Sequence, residues 1–432
     1  MRYIFSYLYI LFISLNINCD IITLPFKRNL SREINETNFY SHYAKNEIYT
    51  KIKIGNPSKE INVQIKMTQY SFCIKNDSNI YNYLNSLTYN SNGKEIDELC
   101  SDYDDALSSK ETFIIGNENI KAENLNFLLT KKAKFKSEGV LGLKIHEKNE
   151  ETNGHGLISQ LKSVNKLLNN QTFFFSYNKD GSDNGELILG EYPHLIDKYK
   201  KDYPQYQFKD TSISIINNDI TFGLIFRSVF WNEKEFEKES RGFIEVESGY
   251  IYATKYFEDI SFDFFSPHFR KGKCHREEVN VLYLAYICDD YPDLDLHKFP
   301  EIKFYESNLN YNLTLTYEEL FIKKNGKVFF LVVFDKFGYN AFWHFGNIFL
   351  KRNKMVFDID RRTIGIYDKN VKEEKMNYNY NIIIGHISVI LICILIIIHL
   401  SVFIFNKFFL RKRNKKPYEI DEDFDYDAPI NV

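Results

Sequence analysis

The sequence predicts a mainly β protein in which a large central region folds as two lobes. Tyr and Phe are abundant, with 31 and 38 copies among 432 residues, and β-branched residues alternate with polar ones at residues 48–54 and 63–65. This alternation is typical of half-buried strands. Helical periodicity is rare in the central region, where we predict one helix at residues 156–168. The central region has about 350 residues, which is more than one hydrophobic core usually serves.

Two apolar segments frame this region. Residues 3–18 carry no charge and follow a single arginine, which is typical of a cleaved signal peptide, with a retained anchor as the alternative. Residues 382–405 contain no Asp, Glu, Lys or Arg and are long enough to cross a membrane, whereas a buried core helix would be shorter and have a polar face. The basic cluster from Lys407 to Lys416 places the acidic tail in the cytoplasm. We therefore expect a single-pass type I membrane protein of the secretory pathway or cell surface.

A polar stretch at residues 198–209 interrupts the apolar pattern and indicates the crossing between the lobes. The predicted segments are a signal peptide (1–19), an N-terminal luminal segment (20–44), a first lobe (45–197), an interlobe crossing (198–210), a second lobe (211–370), a juxtamembrane linker (371–381), a transmembrane helix (382–405) and a cytoplasmic tail (406–432). The net charge of -3 and the lack of a basic stripe argue against nucleic acid as a partner.

Four of the six cysteines, Cys73, Cys100, Cys274 and Cys288, lie in the predicted luminal region, where oxidising conditions favour disulfides. Three pairings are possible, and proximity favours Cys73 with Cys100 and Cys274 with Cys288. Metal binding is the competing interpretation, but no CxxC spacing and no HExxH motif occurs. We predict neither a metal site nor a cofactor. The same compartment permits glycosylation at the sequons that begin at Asn29, Asn35, Asn76, Asn170 and Asn312.

Five segments of the chain, in the right order, resemble the pepsin-type aspartic protease family. They are the strand and Gly-Asn-Pro turn at residues 48–57, Gly-Val-Leu-Gly within 137–143, Gly-Glu-Leu within 184–190, Phe-Pro-Glu-Ile at 299–302, and Phe-Gly-Asn-Ile-Phe-Leu at 345–350 followed by Val-Phe-Asp and Ile-Gly-Ile. The resemblance covers nearly all of residues 45–368 and implies a two-lobed pepsin-like fold. The predicted anchor and the Lys-, Asn- and Tyr-rich composition are similar to those of membrane-anchored plasmepsins of malaria-type parasites.

The first catalytic turn departs from the family pattern. The chemistry of the family needs two carboxylates, one on each lobe, which share a proton and hold the attacking water. The first carboxylate belongs to an Asp-Thr-Gly-Ser turn, but Met67 stands at the Asp position here, followed by Thr68, Gln69 and Tyr70. A thioether exchanges no protons at neutral pH. The resemblance therefore implies that half of the catalytic pair is missing.

The second turn is altered less. Glu247, Ser248, Gly249 and Tyr250 stand where the family has Asp-Ser-Gly-Thr. Glu is one methylene longer than Asp and would overshoot the shared-proton geometry, and Tyr250 replaces the small hydroxyl residue that supports the carboxylate. We expect a lone Glu247 to be a solvated or hydrogen-bonded cleft residue rather than a general base. Residues 68–70 and 248–250 are the candidates for lining the cleft.

No covering flap is recognisable. The family carries a Tyr in a Gly-rich hairpin over the cleft, whereas residues 99–109 are acidic, lack Gly and offer Tyr103, with Tyr89 as an alternative. The sequence thus predicts a pseudoprotease that binds a peptide or a partner protein without cleaving it. One alternative is an active aspartic-type endopeptidase that uses Glu247 and an unidentified carboxylate. The other is an adhesion or assembly module that binds through its outer surface.

Overall fold

The structure, a computed structural model, describes most of the central region and a short part near the end of the chain. The described residues are 21–28, 39–40, 47–96, 106–130, 135–145, 156–180, 182, 184–216, 219–338, 341–372 and 394–403. The chain divides into two units, Met1–Val371 and Lys372–Val432. The first unit contains all the strands described below.

Within the second unit the structure describes Lys372 and residues 394–403. Residues 394–403 are helical and expose their apolar side chains. No helix within the described ranges is long and apolar enough to span a membrane. The rest of the predicted transmembrane segment and the predicted signal peptide lie outside the described residues. Both segments stay predictions.

The first half of the folded unit consists of strands and one helix. The strands are β1 (Ile22–Arg28), β2 (Ile48–Ile54), β3 (Lys59–Lys66), β4 (Cys73–Lys75), β5 (Asn90–Ile96), β6 (Ala106–Ile115), β7 (Ile120–Thr130), β8 (Gly139–Gly142), β9 (Thr172–Tyr177) and β10 (Gly185–Leu189). The helix α1 (Leu157–Ser163) is shorter than the helix predicted at residues 156–168. Val164, which the helical pattern assigns to the buried face, is 54% exposed, and Lys166 has a φ of 53°, which no right-handed helix accommodates.

The second half is also mainly β. Its strands are β11 (Phe208–Ser212), β12 (Ile215–Ile216), β13 (Asp219–Ile220), β14 (Gly223–Trp231), β15 (Lys234–Ile244), β16 (Ile251–Ala253), β17 (Cys274–Glu278), β18 (Tyr283–Asp289), β19 (Ile302–Glu306), β20 (Tyr311–Leu315), β21 (Phe321–Lys324), β22 (Lys327–Phe330), β23 (Val332–Asp335), β24 (Trp343–Phe345), β25 (Met355–Asp358) and β26 (Thr363–Tyr367). The helices are α2 (Lys255–Arg270), α3 (Tyr317–Leu320) and α4 (Asn347–Arg352).

One large sheet runs from the first lobe into a region shared by both halves of the chain. Its 13 strands have the order β11-β26-β25-β9-β10-β1-β2-β3-β8-β4-β7-β6-β5. Strand β25 from the end of the folded unit pairs with β9, so that Val356 lies opposite Phe174. The rings of Phe173 and Phe357 stack beside this pairing at 4.9 Å. Strands β25 and β26, the last of the unit, therefore belong to the sheet that joins the two lobes.

The second lobe is built on a separate sheet of 11 strands in the order β20-β19-β14-β15-β24-β16-β23-β18-β22-β21, with β17 paired to β18. A disulfide joins Cys274 to Cys288 across β17 and β18, the pairing that proximity favours. Cys73 is also disulfide-bonded, but its predicted partner Cys100 lies outside the described residues. The fold is the mainly β, two-lobed architecture that the sequence predicts.

The same four-strand arrangement occurs in each lobe. In the first lobe β3 runs parallel to β8, β8 antiparallel to β4, and β4 parallel to β7. In the second lobe β15 runs parallel to β24, β24 antiparallel to β16, and β16 parallel to β23. The turns that follow β3 and β15 therefore occupy equivalent places, which is where the sequence locates the two degenerate motifs.

The N-terminal region takes part in the fold. The sequence assigns residues 20–44 to a segment ahead of the first lobe, but β1 lies inside the large sheet, paired with both β10 and β2. Further along, Phe39 and Tyr40 are 2% and 3% exposed and pack in the second lobe. This segment therefore contacts both lobes.

Candidate functional site

The first turn begins where β3 ends, and it places an apolar side chain at its centre. Met67 is 3% exposed and packs in the main hydrophobic core. The turn is held by the parallel neighbour strand, because the Leu143 amide donates to the carbonyl of Lys66 at 2.8 Å and the Lys144 amide to that of Gln69 at 2.9 Å. The centre of the first turn is therefore an apolar, buried thioether.

The second turn is held in a similar way. The Asn347 amide donates to the carbonyl of Ser248 at 2.7 Å, and the Glu245 amide to that of Phe345 at 2.9 Å. Ser248 is buried, and its hydroxyl accepts from the Tyr250 amide at 3.2 Å. The candidates Ser248 and Gly249 are both buried. They therefore shape the turn and are not exposed to a ligand.

Glycines allow each turn to approach its neighbour strand closely. A Cβ atom on Gly142 would lie 2.4 Å from the carbonyl oxygen of Gln69. On Gly346 it would lie 2.3 Å from the carbonyl oxygens of both Ser248 and Tyr250. Because no side chain fits in such contacts, the two glycines fix the shape of the turns in both lobes.

The two turns meet through Thr68 and Glu247. The backbone amide and the hydroxyl of Thr68 both donate to Oε1 of Glu247, each at 2.8 Å. This contact joins the first lobe to the second. One carboxyl oxygen of Glu247 is thus engaged by hydrogen-bond donors and not by a second acid.

The other oxygen of Glu247, Oε2, is buried and has no hydrogen-bond partner within the described part of the chain. Burial raises the pKa of this carboxyl group above its ordinary value of 4.5, and the negative charge of Glu245 adds to the increase. The two hydrogen bonds from Thr68 act in the opposite direction but do not outweigh burial. Glu247 therefore retains its proton more readily than a carboxyl group in water.

Tyr250 does not line the cleft as the sequence suggests. Its side chain is fully buried, and its hydroxyl donates to the backbone carbonyl of Tyr40. The reason is the covering segment, because Tyr40 packs against the Tyr250 ring with the centroids 5.5 Å apart. The expectation of a cleft-facing Tyr250 is wrong, and its hydroxyl supports the N-terminal segment instead of a catalytic carboxylate.

The remaining candidates lie close to the first turn. The side-chain amide of Gln69 is 3.3 Å from the Cys73 sulfur. The ring of Tyr70 lies against Gly156 at the start of α1, so that a Cβ on that glycine would be 3.0 Å from the ring. Of the two flap candidates, Tyr103 lies outside the described residues, and the Tyr89 hydroxyl is 3.1 Å from that of Ser109.

The structure also brings together a histidine and a carboxyl group that the sequence does not single out. Nδ1 of His344, at the end of β24, lies 3.0 Å from Oε1 of Glu245, at the end of β15. Tyr252 neighbours this pair, and burial together with the charge of Glu245 raises the pKa of Tyr252 to about 12. The two residues are 99 positions apart in the sequence, so no local pattern predicts their contact.

A histidine beside an acid does not make a metal site here. Within the described ranges, no group of three or more His, Cys, Asp or Glu side chains is arranged to hold a metal ion. What the site offers is therefore a carboxyl group with a raised pKa, an acid–imidazole pair and aromatic side chains.

A β fold of two lobes that meet at equivalent turns defines the pepsin-like class. The family described as eukaryotic aspartyl protease matches residues 47–368, and the chain belongs to this family. No curated protein matches the chain significantly.

Solved structures share the fold at low identity. Basic 7S globulin from soybean is 13% identical, with a TM-score of 0.57 over 82% of this chain and 98% of that chain. Conglutin gamma, a basic 7S globulin from lupine seeds, is 14% identical, with a TM-score of 0.58 over 82% of this chain and 96% of the other. These similarities extend to the fold alone.

Proposed function

We propose that this chain is a pepsin-like pseudoprotease that binds a peptide or a partner protein without cleaving it. The observation that supports the proposal most directly is the contact between Thr68 and Glu247. Aspartic protease chemistry requires two carboxyl groups that share one proton. Here one position is a buried thioether, and the carboxyl group at the other position accepts two hydrogen bonds from a threonine.

The proposal includes the setting of the protein. The apolar segment at residues 382–405 and the basic cluster after it support a single-pass type I anchor in the secretory pathway or at the cell surface. The anchor is also the basis for the narrower resemblance to membrane-anchored plasmepsins such as plasmepsin V. Digestion of intact vesicles with an external protease tests the orientation, because only the tail after residue 405 should be removed.

Cleavage is the decisive assay for the pseudoprotease. The full chain in detergent micelles is incubated with a peptide library from about pH 3 to pH 8, the range over which carboxyl pairs titrate in this chemistry. We expect no product above that of a buffer control. Cleavage that disappears in Glu247→Gln would show an active endopeptidase of atypical mechanism and would overturn the proposal.

A second assay separates binding in the cleft from binding through the outer surface. The full chain captures partners from a lysate, and the capture is repeated with two variants. Glu245→Gln alters the pair of Glu245 with His344. Lys121→Gln replaces an exposed lysine of the first lobe and serves as the control. Loss with Glu245→Gln alone supports the cleft. Equal capture by both variants would support an adhesion or assembly module.

A further inference from the structure

A patch of rings around one carboxyl group lies on the sheet of the second lobe, just ahead of the second turn. We define the His344 patch as Phe243, Glu245, Tyr252, Tyr283 and His344. All five residues are half-buried, and the side chains of Glu245 and His344 are 25% and 32% exposed. The patch is therefore partly accessible to solvent.

Strand pairing places the rings of the patch in one row. Phe243 on β15 lies directly opposite His344 on β24, and His344 lies directly opposite Tyr252 on β16. Residues that are paired in this way point to the same face of a sheet. Their neighbours in sequence, such as Ile244 and Ile251, pack in the main core. The patch therefore lies on the face of the sheet that is turned away from the main core.

The carboxyl group of Glu245 lies within this row of rings. Its Oε1 is 3.0 Å from Nδ1 of His344. The centroid of the imidazole ring is 5.2 Å from that of Phe243 and 5.9 Å from that of Tyr252. The ring of Tyr283 extends the row, with its centroid 4.8 Å from that of Tyr252. A charged group that binds Glu245 would therefore lie near aromatic side chains as well.

The negative charge of Glu245 acts on several neighbours. Burial raises the pKa of Glu247, Tyr252 and Tyr283, and the charge of Glu245 adds to the increase in each case. Among the residues that the structure describes, His344 is the hydrogen-bond and ion-pair partner of Glu245, and it faces Oε1. The second oxygen, Oε2, is therefore available to a ligand.

These features favour a cation as the ligand. An apolar or anionic group would remove water from the Glu245 carboxyl group without replacing its hydrogen bonds, which is unfavourable. A cation pairs with the carboxyl group and is also attracted to the faces of aromatic rings. Because Oε1 already faces His344, one carboxyl oxygen remains. This suits the point charge of a lysine ammonium group better than the forked guanidinium of arginine, which binds both oxygens of a carboxylate.

We propose that the His344 patch is the recognition site for a lysine side chain of the peptide that this chain binds, with Glu245 as the residue that determines the specificity. The inference rests on the proposed function, since it names the class of peptide. The ammonium group pairs with Oε2 of Glu245, and the methylene groups of the lysine pack against the neighbouring rings.

The test starts from a library of random octapeptides with blocked termini, which is selected on the full chain in detergent micelles. We expect lysine to be enriched in the recovered peptides. The tightest binder is then remade with each lysine in turn replaced by norleucine, which keeps the methylene groups but carries no charge. Fluorescence anisotropy with an uncharged dye should identify one lysine whose replacement weakens binding about tenfold, as expected for the loss of a charge-assisted hydrogen bond.

Variants of the protein locate the partner of this lysine. Glu245→Gln should bind the lysine peptide about tenfold more weakly than the wild type and the norleucine peptide equally well, so that the two changes are non-additive. Phe243→Leu keeps the carboxyl group and removes one ring, and it should weaken the lysine peptide about threefold. Glu123→Gln is the matched control, because it removes an exposed carboxyl group of the first lobe, and it should change neither affinity.

Three results would overturn the inference. They are equal affinity of the lysine peptide for the wild type and Glu245→Gln, recovery of peptides without enrichment of lysine, and recovery of no peptide above a control with empty micelles. An arginine peptide that binds the wild type as tightly as the lysine peptide does would overturn the choice of lysine.

Mass spectrometry of the recovered peptides keeps this inference apart from the proposed function. Intact peptides with a lysine that depends on Glu245 support both. Cleaved peptides with the same dependence leave the lysine site standing and refute the pseudoprotease. Intact peptides whose binding does not depend on Glu245 refute the lysine site and leave the pseudoprotease standing.

Discussion

Thr68 and Glu247 form a hydrogen-bonded contact between the two lobes, in which two donors of one residue converge on a single carboxyl oxygen. In a chain with paired catalytic acids, this region would hold a proton and a water molecule between two carboxyl groups. Here the longer Glu side chain reaches the neighbouring turn and is fixed there. The two turns therefore form a structural contact between the lobes.

Removal of the Thr68 hydroxyl should weaken this contact. Thr68→Val keeps the shape and the backbone amide, and we expect it to lower the free energy of unfolding by about 1 kcal/mol. In a double-mutant cycle with Glu247→Gln the two effects should be non-additive, because both substitutions act on the same bond. Urea unfolding measures the four proteins. Strict additivity would show that the hydroxyl does not stabilise the fold through Glu247.

Glu247→Gln should change how stability depends on pH. The raised pKa of Glu247 means that the folded state holds a proton that the unfolded state releases above its ordinary value of 4.5. The contribution of this group to stability is therefore complete below that value and is lost as the pH rises through the folded-state pKa. Relative to the wild type, Glu247→Gln should gain stability with rising pH and show no relative gain in acid.

The control for this experiment is a carboxyl group with the opposite shift. The pKa of Glu60 is lowered by its hydrogen bond from Lys51, so Glu60→Gln should lose stability relative to the wild type as the pH rises through the lowered pKa. Unfolding midpoints over the acid to neutral range measure both variants. A relative stability of Glu247→Gln that does not change with pH would contradict the raised pKa.

Met67→Asp introduces an acid at a position that is 3% exposed. A buried carboxylate without a partner is costly, and we expect a loss of about 3 kcal/mol at neutral pH. The loss should shrink in acid, where the new carboxyl group is protonated. Met67→Leu, which conserves volume, should cost less than about 1.5 kcal/mol. Equal stability of Met67→Asp and wild type at pH 7 would show that the turn still accommodates a charge.

Local alternation predicts the strands, whereas the two-lobed pepsin-like fold is predicted by the resemblance of five segments to the family. The helix α2 was missed, since Phe257, Ser261 and Phe265 line its buried face and aromatic residues are more typical of strands. Its length only emerges from packing against the second sheet.

For the site, the motifs single out Met67 and Glu247 but predict none of their contacts. The bond from Thr68 to Glu247 joins residues 179 positions apart, and no sequence periodicity extends over such a separation. The burial of Tyr250 depends on Phe39 and Tyr40, which lie in a stretch without any strand or helix pattern. Such long-range contacts follow from the tertiary fold and are invisible to local patterns.

The duplicated architecture predicts that two distant glycines respond alike to substitution. Gly142→Ala and Gly346→Ala each direct a Cβ atom to within 2.4 Å or less of a backbone carbonyl oxygen, and relief requires the turn to move. We expect each substitution to lower the free energy of unfolding by roughly 3 kcal/mol. Gly272 is the matched control, because it has open space around its Cβ and a φ of +66°, so Gly272→Ala should cost only about 1 kcal/mol. Thermal unfolding compares the three variants, and a Gly346→Ala protein as stable as Gly272→Ala would mean that the second turn is not held by close packing against its neighbour strand.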